Sequence, residues 1–139
     1  MATYNKFNSF VEAIAEKVHN LGSDTLNVAL TNSSPGAGDT QLSDITEISA
    51  GNGYTAGGSQ ATISASAQTS GTYKLTLADV TFTASGGSIG PFQYAVLYND
   101  TATNDELIGW WDHGSAVTLS DGESFTVDFD ASNGVLTIA

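Results

Sequence analysis

Phe92-Gln93-Tyr94-Ala95-Val96-Leu97-Tyr98, followed across an acidic loop by Leu107-Ile108-Gly109-Trp110-Trp111, decides the fold class. Each run has the length of a strand and is bounded by turn residues. Both are apolar at successive positions, which places side chains on both faces of a sheet and predicts a central strand with a covered neighbour. Outward from this pair the period stays at two. Leu26, Val28 and Leu30 alternate with Asn27, Ala29 and Thr31, as in a strand with one buried face. Ile63, Ala65 and Ala67, then Tyr73, Leu75 and Leu77, then Val80 and Phe82, repeat the pattern. Val117 and Leu119, then Phe125, Val127 and Phe129, then Val135, Leu136 and Ile138 complete it. Ser85-Gly86-Gly87-Ser88 reads as a turn, and Asp121-Gly122 and Asn133-Gly134 as two-residue hairpin turns. The expectation is a mainly β fold, a single-domain β-sandwich or Greek-key barrel of about eight or nine short strands over residues 1–139.

One segment has a different period. Phe7, Phe10, Val11, Ile14, Ala15, Val18 and Leu21 recur at steps of three and four, with Glu12, Glu16, Lys17 and Asn20 opposite them. This predicts one N-terminal amphipathic helix over about residues 5 to 21, with Asn5 as N-cap and Gly22 as left-handed terminator. His19 then falls at the helix C-terminus, as a surface residue facing the dipole. The segment from Asn32 to Thr40, with Pro35, is a loop. Leu42, Ile45 and Ile48 suit a short helical turn or an irregular segment. Ala50-Gly51-Asn52-Gly53-Tyr54-Thr55-Ala56-Gly57-Gly58 reads as an ordered surface loop pinned by Tyr54.

Charge narrows the function. Fifteen Asp and Glu face three Lys and no Arg, for a formal net charge of -12, so no basic patch exists to neutralise phosphates and nucleic acid is not an expected partner. An anionic membrane would repel the chain, and no apolar run reaches the roughly 20 residues of a spanning helix. The chain contains no cysteine, which removes disulfides and thiolate chemistry. Met1-Ala2-Thr3-Tyr4-Asn5-Lys6 lacks a signal-peptide core, which predicts synthesis and retention in the cytoplasm until assembly.

No arrangement of residues announces catalysis. His113 has one neighbouring carboxylate and too few ligands for zinc. Asp112, Glu106, Asp128 and Asp130 lie near or in strands and, with two Trp as a sugar platform, make glycoside hydrolysis the enzymatic alternative, but Asp residues alternating with Phe125, Val127 and Phe129 describe a solvated strand face instead. Trp110 and Trp111 face opposite sides of a strand, so at least one belongs to the core. Asp128-Phe129-Asp130-Ala131-Ser132-Asn133-Gly134 spaces oxygen ligands as a calcium loop does but lacks its distal Glu, and a strand end entering a turn accounts for it. Asp100 to Glu106 is a second acidic, solvated loop. The glycine-rich segments lack the Lys and helix of a phosphate loop. The expectation is a protein that is not an enzyme and needs no cofactor.

The segments Ala50 to Gly58, Phe82-Thr83-Ala84-Ser85-Gly86-Gly87-Ser88-Ile89-Gly90-Pro91-Phe92, Tyr94 to Asp100, Leu107-Ile108-Gly109-Trp110-Trp111-Asp112 and Thr3-Tyr4-Asn5-Lys6-Phe7 resemble a family of small virion proteins of tailed bacteriophages, over nearly the whole chain. The resemblance implies a capsid decoration, or cement, protein on the virion surface, partnered by the major capsid protein and by sister copies as a homo-oligomer. A tail-associated component, or a carbohydrate-binding adhesion module using exposed aromatics, is the alternative. The uncharged loops Asn32 to Thr40 (apart from Asp39) and Ala50 to Ser59 are the expected contact surface, since interface centres lose charge and gain aromatics. Tyr54, Asn52, Gly53, Gly57, Gly58 and Pro35 are its candidate residues.

Overall fold

The computed structural model describes residues 2–139, and among them ten strands form three antiparallel sheets. In chain order they are β1 (Tyr4–Lys6), β2 (Leu26–Thr31), β3 (Ser59–Gln60), β4 (Ile63–Thr69), β5 (Thr72–Leu77), β6 (Val80–Thr83), β7 (Ile89–Asn99), β8 (Leu107–Leu119), β9 (Ser124–Val127) and β10 (Leu136–Ile138). The five-stranded sheet has the order β1-β8-β7-β2-β3, the second β10-β5-β4, and the third is the pair β6-β9. The two long strands that decide the class form its centre, with Val96 opposite Trp110 and Ala95 opposite Trp111.

The central strands are covered on both faces. Leu26, Val28, Leu30, Ala95, Leu97 and Ile108 turn one way and meet Leu75, Leu77, Val80, Phe82 and Val127 from the two smaller sheets, which makes the main core a sandwich filling. Ala29, Val96, Tyr98 and Leu107 turn the other way, onto Phe7 and Ile45, with Leu42 and Trp110 packed beside them. The strand over residues 26–31 thus has two buried faces rather than the one expected, because the segment carrying Leu42 and Ile45 closes over its back. That segment contains a single 3-10 turn, Leu42–Asp44.

The expected helix over residues 5 to 21 is corrected to one short helix, α1, Phe10–Ala15. Asn5 is no N-cap: it lies in β1 opposite Trp110, and its side-chain amide donates to the carbonyls of Thr3 and Trp110. Phe7, counted on the helical stripe, instead packs on Trp110 with ring centroids 4.5 Å apart. Lys17, at φ 68, takes the left-handed position expected of Gly22. The apolar residues do recur at helical spacing, yet they serve two cores. Phe10 and Leu21 enter the main core and Phe7 the second one, whereas a continuous helix would turn Phe7 and Phe10 to the same face. Val11, on the expected buried stripe, is 52% exposed.

The turns are also redistributed. Gly122 and Gly134 have positive φ as expected. The strands flanking them belong to different sheets, however, so Asp121-Gly122 and Asn133-Gly134 carry the chain between sheets rather than closing hairpins. The two-residue hairpin turn is Ser70-Gly71, with φ of 51 and 84, joining β4 to β5.

Candidate functional site

The glycine-rich segment 50–58 is ordered from beneath. Tyr54 is only 2% exposed and its ring lies 5.7 Å from that of Phe82. Its hydroxyl accepts from the Leu30 backbone N–H at 3.0 Å and donates to the Glu47 carboxylate at 2.5 Å. The same carboxylate oxygen accepts the Gly57 N–H, and the Tyr98 hydroxyl donates to the Gly57 carbonyl at 2.6 Å. Burial, reinforced by the Glu47 carboxylate, pushes the Tyr54 hydroxyl far above its ordinary titration range. Gly58 runs against the Val28 carbonyl at φ 78, where a Cβ would overlap the backbone.

This geometry corrects two of the contact candidates. Tyr54 has almost no surface to offer a partner, because its aromatic ring completes its own core and its hydroxyl satisfies the edge of β2. Pro35 is likewise buried, in a loop whose Ala37 carbonyl accepts from the Asn8 N–H at 2.8 Å. Asn52 and Gly53 remain exposed, and Gly57 and Gly58 half-buried. Asn52 braces the neighbouring turn, with its side-chain amide donating to the Ser88 carbonyl at 3.0 Å and its own carbonyl accepting from Ser85.

A groove of about 380 Å³ opens elsewhere, between the far end of β7 and β8 and strand β9. Its walls include Trp111, Tyr94, Phe125 and Phe129, with Gln93 and His113 among its polar members. Trp111 stands between Tyr4 and Phe129, at 5.5 and 5.4 Å, while Trp110 lies on the opposite face of β8 against Phe7. His113 is exposed and meets Phe125 edge-on at 5.4 Å.

Three of the carboxylates considered for catalysis or calcium, Asp130, Asp112 and Glu106, are engaged locally. Asp130 accepts the N–H groups of Ser132 and Asn133 and the Asn133 side-chain amide, which hold its carboxyl below the usual range. The Gln93 amide and the Gly114 N–H do the same for Asp112. Glu106 and Asp112 are six residues apart near the start of β8, roughly 20 Å along an extended strand, and do not form a facing pair.

His19 is not the surface residue expected. It is 4% exposed and stacks on Phe10 at 5.5 Å. The Asn99 side-chain oxygen accepts two backbone N–H groups, so its amide nitrogen donates, both to Asp24 at 2.7 Å and to His19 Nδ1 at 3.0 Å. Nδ1 is therefore the unprotonated nitrogen of a neutral ring. Burial outweighs the nearby Glu106 and Asp24 and lowers the His19 pKa below its ordinary 6.5. No sequence signal pairs residues 80 positions apart in this way.

Charge is unevenly placed. From Ile48 to Tyr73 the chain carries no Asp, Glu, Lys, Arg or His, and this stretch supplies the glycine segment, β3, β4 and the Ser70-Gly71 turn. Most of its positions are exposed. The signal is present in the sequence and extends beyond the loop Ala50 to Ser59. Comparison of the chain with protein-family models, curated proteins and solved structures finds no match.

Proposed function

We propose that this chain is a structural protein of a tailed-phage virion that decorates the capsid exterior, binding the major capsid protein and standing beside sister copies to stabilise the shell. The observation that supports it is the segregation of charge. A body of net charge -12 keeps one long, exposed and uncharged run of chain. Such a surface can be buried against another protein without desolvating carboxylates, while repulsion elsewhere limits premature association. Within the run, Asn52 and Gly53 are the exposed members of the contact set.

The test is localisation and stabilisation together. The tagged chain is followed by electron microscopy of virions, and capsids with and without it are heated while DNA release is recorded. Label over the head surface and earlier DNA release from capsids lacking the protein are the expected results. Label confined to the tail, or identical release temperatures, refutes the proposal.

A second function has its own support. The aromatic groove beside Trp111 has the size and composition of a ligand site, and half-exposed rings rimmed by polar groups suit a sugar face. An adhesion module predicts saturable quenching of tryptophan fluorescence by oligosaccharides, and loss of that response in Trp111→Ala.

A further inference from the structure

Strand β4 is the outermost strand of its sheet and pairs only with β5. From Ala65 onward its free edge carries none of the devices that keep edges from pairing. Ile63–Thr69 has no charge and no proline, and its side chains from Ser64 onward are Ser, Ala, Gln and Thr. A register shift between Ile63 and Ala65 is confined to one end.

The hairpin fixes which backbone groups point outward. Thr69 pairs with Thr72 around the two-residue turn, so Thr69, Ala67 and Ala65 direct their N–H and C=O groups at β5. Ser66 and Gln68 direct theirs away from the sheet. Ser66 is also the midpoint of Ile63–Thr69. A second β4 laid antiparallel over its full length therefore brings Ser66 opposite Ser66, both with unpaired backbone groups facing across the join.

We propose that two copies of this chain associate edge to edge through β4, across a two-fold axis at Ser66, turning two three-stranded sheets into one of six strands. The edge suits a second copy as the occupant: the outward backbone groups of β4 are self-complementary about Ser66, and the strand carries no charge to set against a chain of the same sign. A basic partner would be drawn to the acidic loops around residues 100–106 and 121–130. A partner carrying the same -12 can approach closely only where carboxylates are absent, and β4 lies within the uncharged run. Lys74, opposite Ala67 on β5, is the charged residue beside the strand, and Lys17 and Asp24, one of each sign, share the adjoining cleft with Ser66 and Tyr73. The inference deepens the proposed function by naming the contact between sister copies. Its test needs no capsid, so a failure here is distinguishable from a failure of the capsid localisation.

Sedimentation of the purified chain from about 1 µM to about 1 mM should show monomer passing to dimer, with tighter association in about 0.5 M salt than at low salt, because screening relieves like-charge repulsion. Ser66→Pro removes an outward N–H that β5 does not use, together with the hydroxyl bond to Tyr73, and should stay monomeric at every concentration while melting close to Tyr73→Phe, which loses the same bond. An independent variant uses the absence of native cysteine. Facing residues of a hydrogen-bonded antiparallel pair have Cα atoms about 5.5 Å apart, within disulfide reach. Ser66→Cys should therefore form a disulfide-linked dimer under mild oxidation, and Ser70→Cys at the hairpin tip should not. A parent that stays monomeric at about 1 mM in high salt overturns the inference. So does a dimer that weakens with salt, or cross-linking at residue 70 in preference to 66. Binding of β4 to capsid protein by a chain that never self-associates likewise replaces the second copy with a different occupant.

Discussion

Tyr54→Phe isolates the single hydroxyl that joins the glycine segment to the central sheet. β3 covers β2 only at Asn27 and Val28, so beyond that point the edge of β2 needs other partners. At Leu30 they are the Ile48 N–H, which donates to its carbonyl at 3.0 Å, and the Tyr54 hydroxyl, which accepts its N–H at the same distance. Leu30 is fully buried, so removing the hydroxyl leaves a backbone donor without water or partner, at a cost of about 1–3 kcal/mol. Glu47 loses one donor but keeps the Gly57 N–H, and the ring packing against Phe82 is retained. A total near 2 kcal/mol corresponds to a fall in Tm of about 6–8 °C for a domain of this size. Tyr73→Phe is the control, since the Tyr73 hydroxyl bonds only the half-buried Ser66 hydroxyl and its loss should cost less than about 1 kcal/mol. Calorimetry and urea unfolding of the three proteins give the numbers. A Tyr54→Phe variant melting within about 1 °C of the parent would show that the Leu30 N–H finds another acceptor, and the account of the segment as pinned from beneath would be wrong.

His19 predicts a pH dependence whose sign follows from its burial. Its folded pKa lies below the unfolded value of 6.5, so the unfolded chain takes up the proton first; the stability from the neutral ring is complete above about pH 6.5 and is lost as pH falls toward the folded value. Urea unfolding between pH 7.5 and 5 should show this decline, and His19→Gln should flatten it; a parent with no slope there contradicts the neutral ring. Gly58→Ala places a Cβ on the Val28 carbonyl at φ 78 and should cost about 3 kcal/mol or more, read as a large loss of Tm or of soluble protein. Phe10→Ala should cost about 3–5 kcal/mol, whereas Val11→Ala on the same short helix should stay within about 0.5 kcal/mol; similar melting of the two variants would restore the longer buried stripe.

The strands were legible because alternation is a direct consequence of the pleat. Phe92 to Tyr98 announced two covered faces, and Ala95 with Leu97, against Val96 with Tyr98, occupy them. Sheet membership was not legible, since a glycine with positive φ serves a hairpin and a crossing between sheets equally well, as Gly71 and Gly122 show. Residues 5–21 misled because the steps of three and four came from two different cores. The contact set failed at Tyr54 for a related reason. An aromatic among glycines marks a pinned loop, but its direction depends on whether an unfilled backbone donor, here that of Leu30, waits beneath it.

With three lysines available, the carboxylates of this chain find partners mainly in backbone amides. Asp39 accepts from Gly36, Asp44 from Thr40, Asp79 from Phe129, Asp121 from Gly86 and Glu123 from Ser120, at 2.7 to 3.0 Å. Acidic side chains are thus the ordinary fasteners of its turns, and their concentration outside the strands follows from that work. The β4 hairpin, within the uncharged run, is the exception that this rule brings out. It too has a turn to fasten, yet at Gly71 the acceptor is the neutral amide of Gln68, at 3.1 Å. A carboxylate of the same reach would accept the Gly71 N–H more strongly. Local turn stability alone therefore does not favour glutamine at position 68. Keeping charge off the β4 edge does, which is what the proposed contact with a like-charged copy would require.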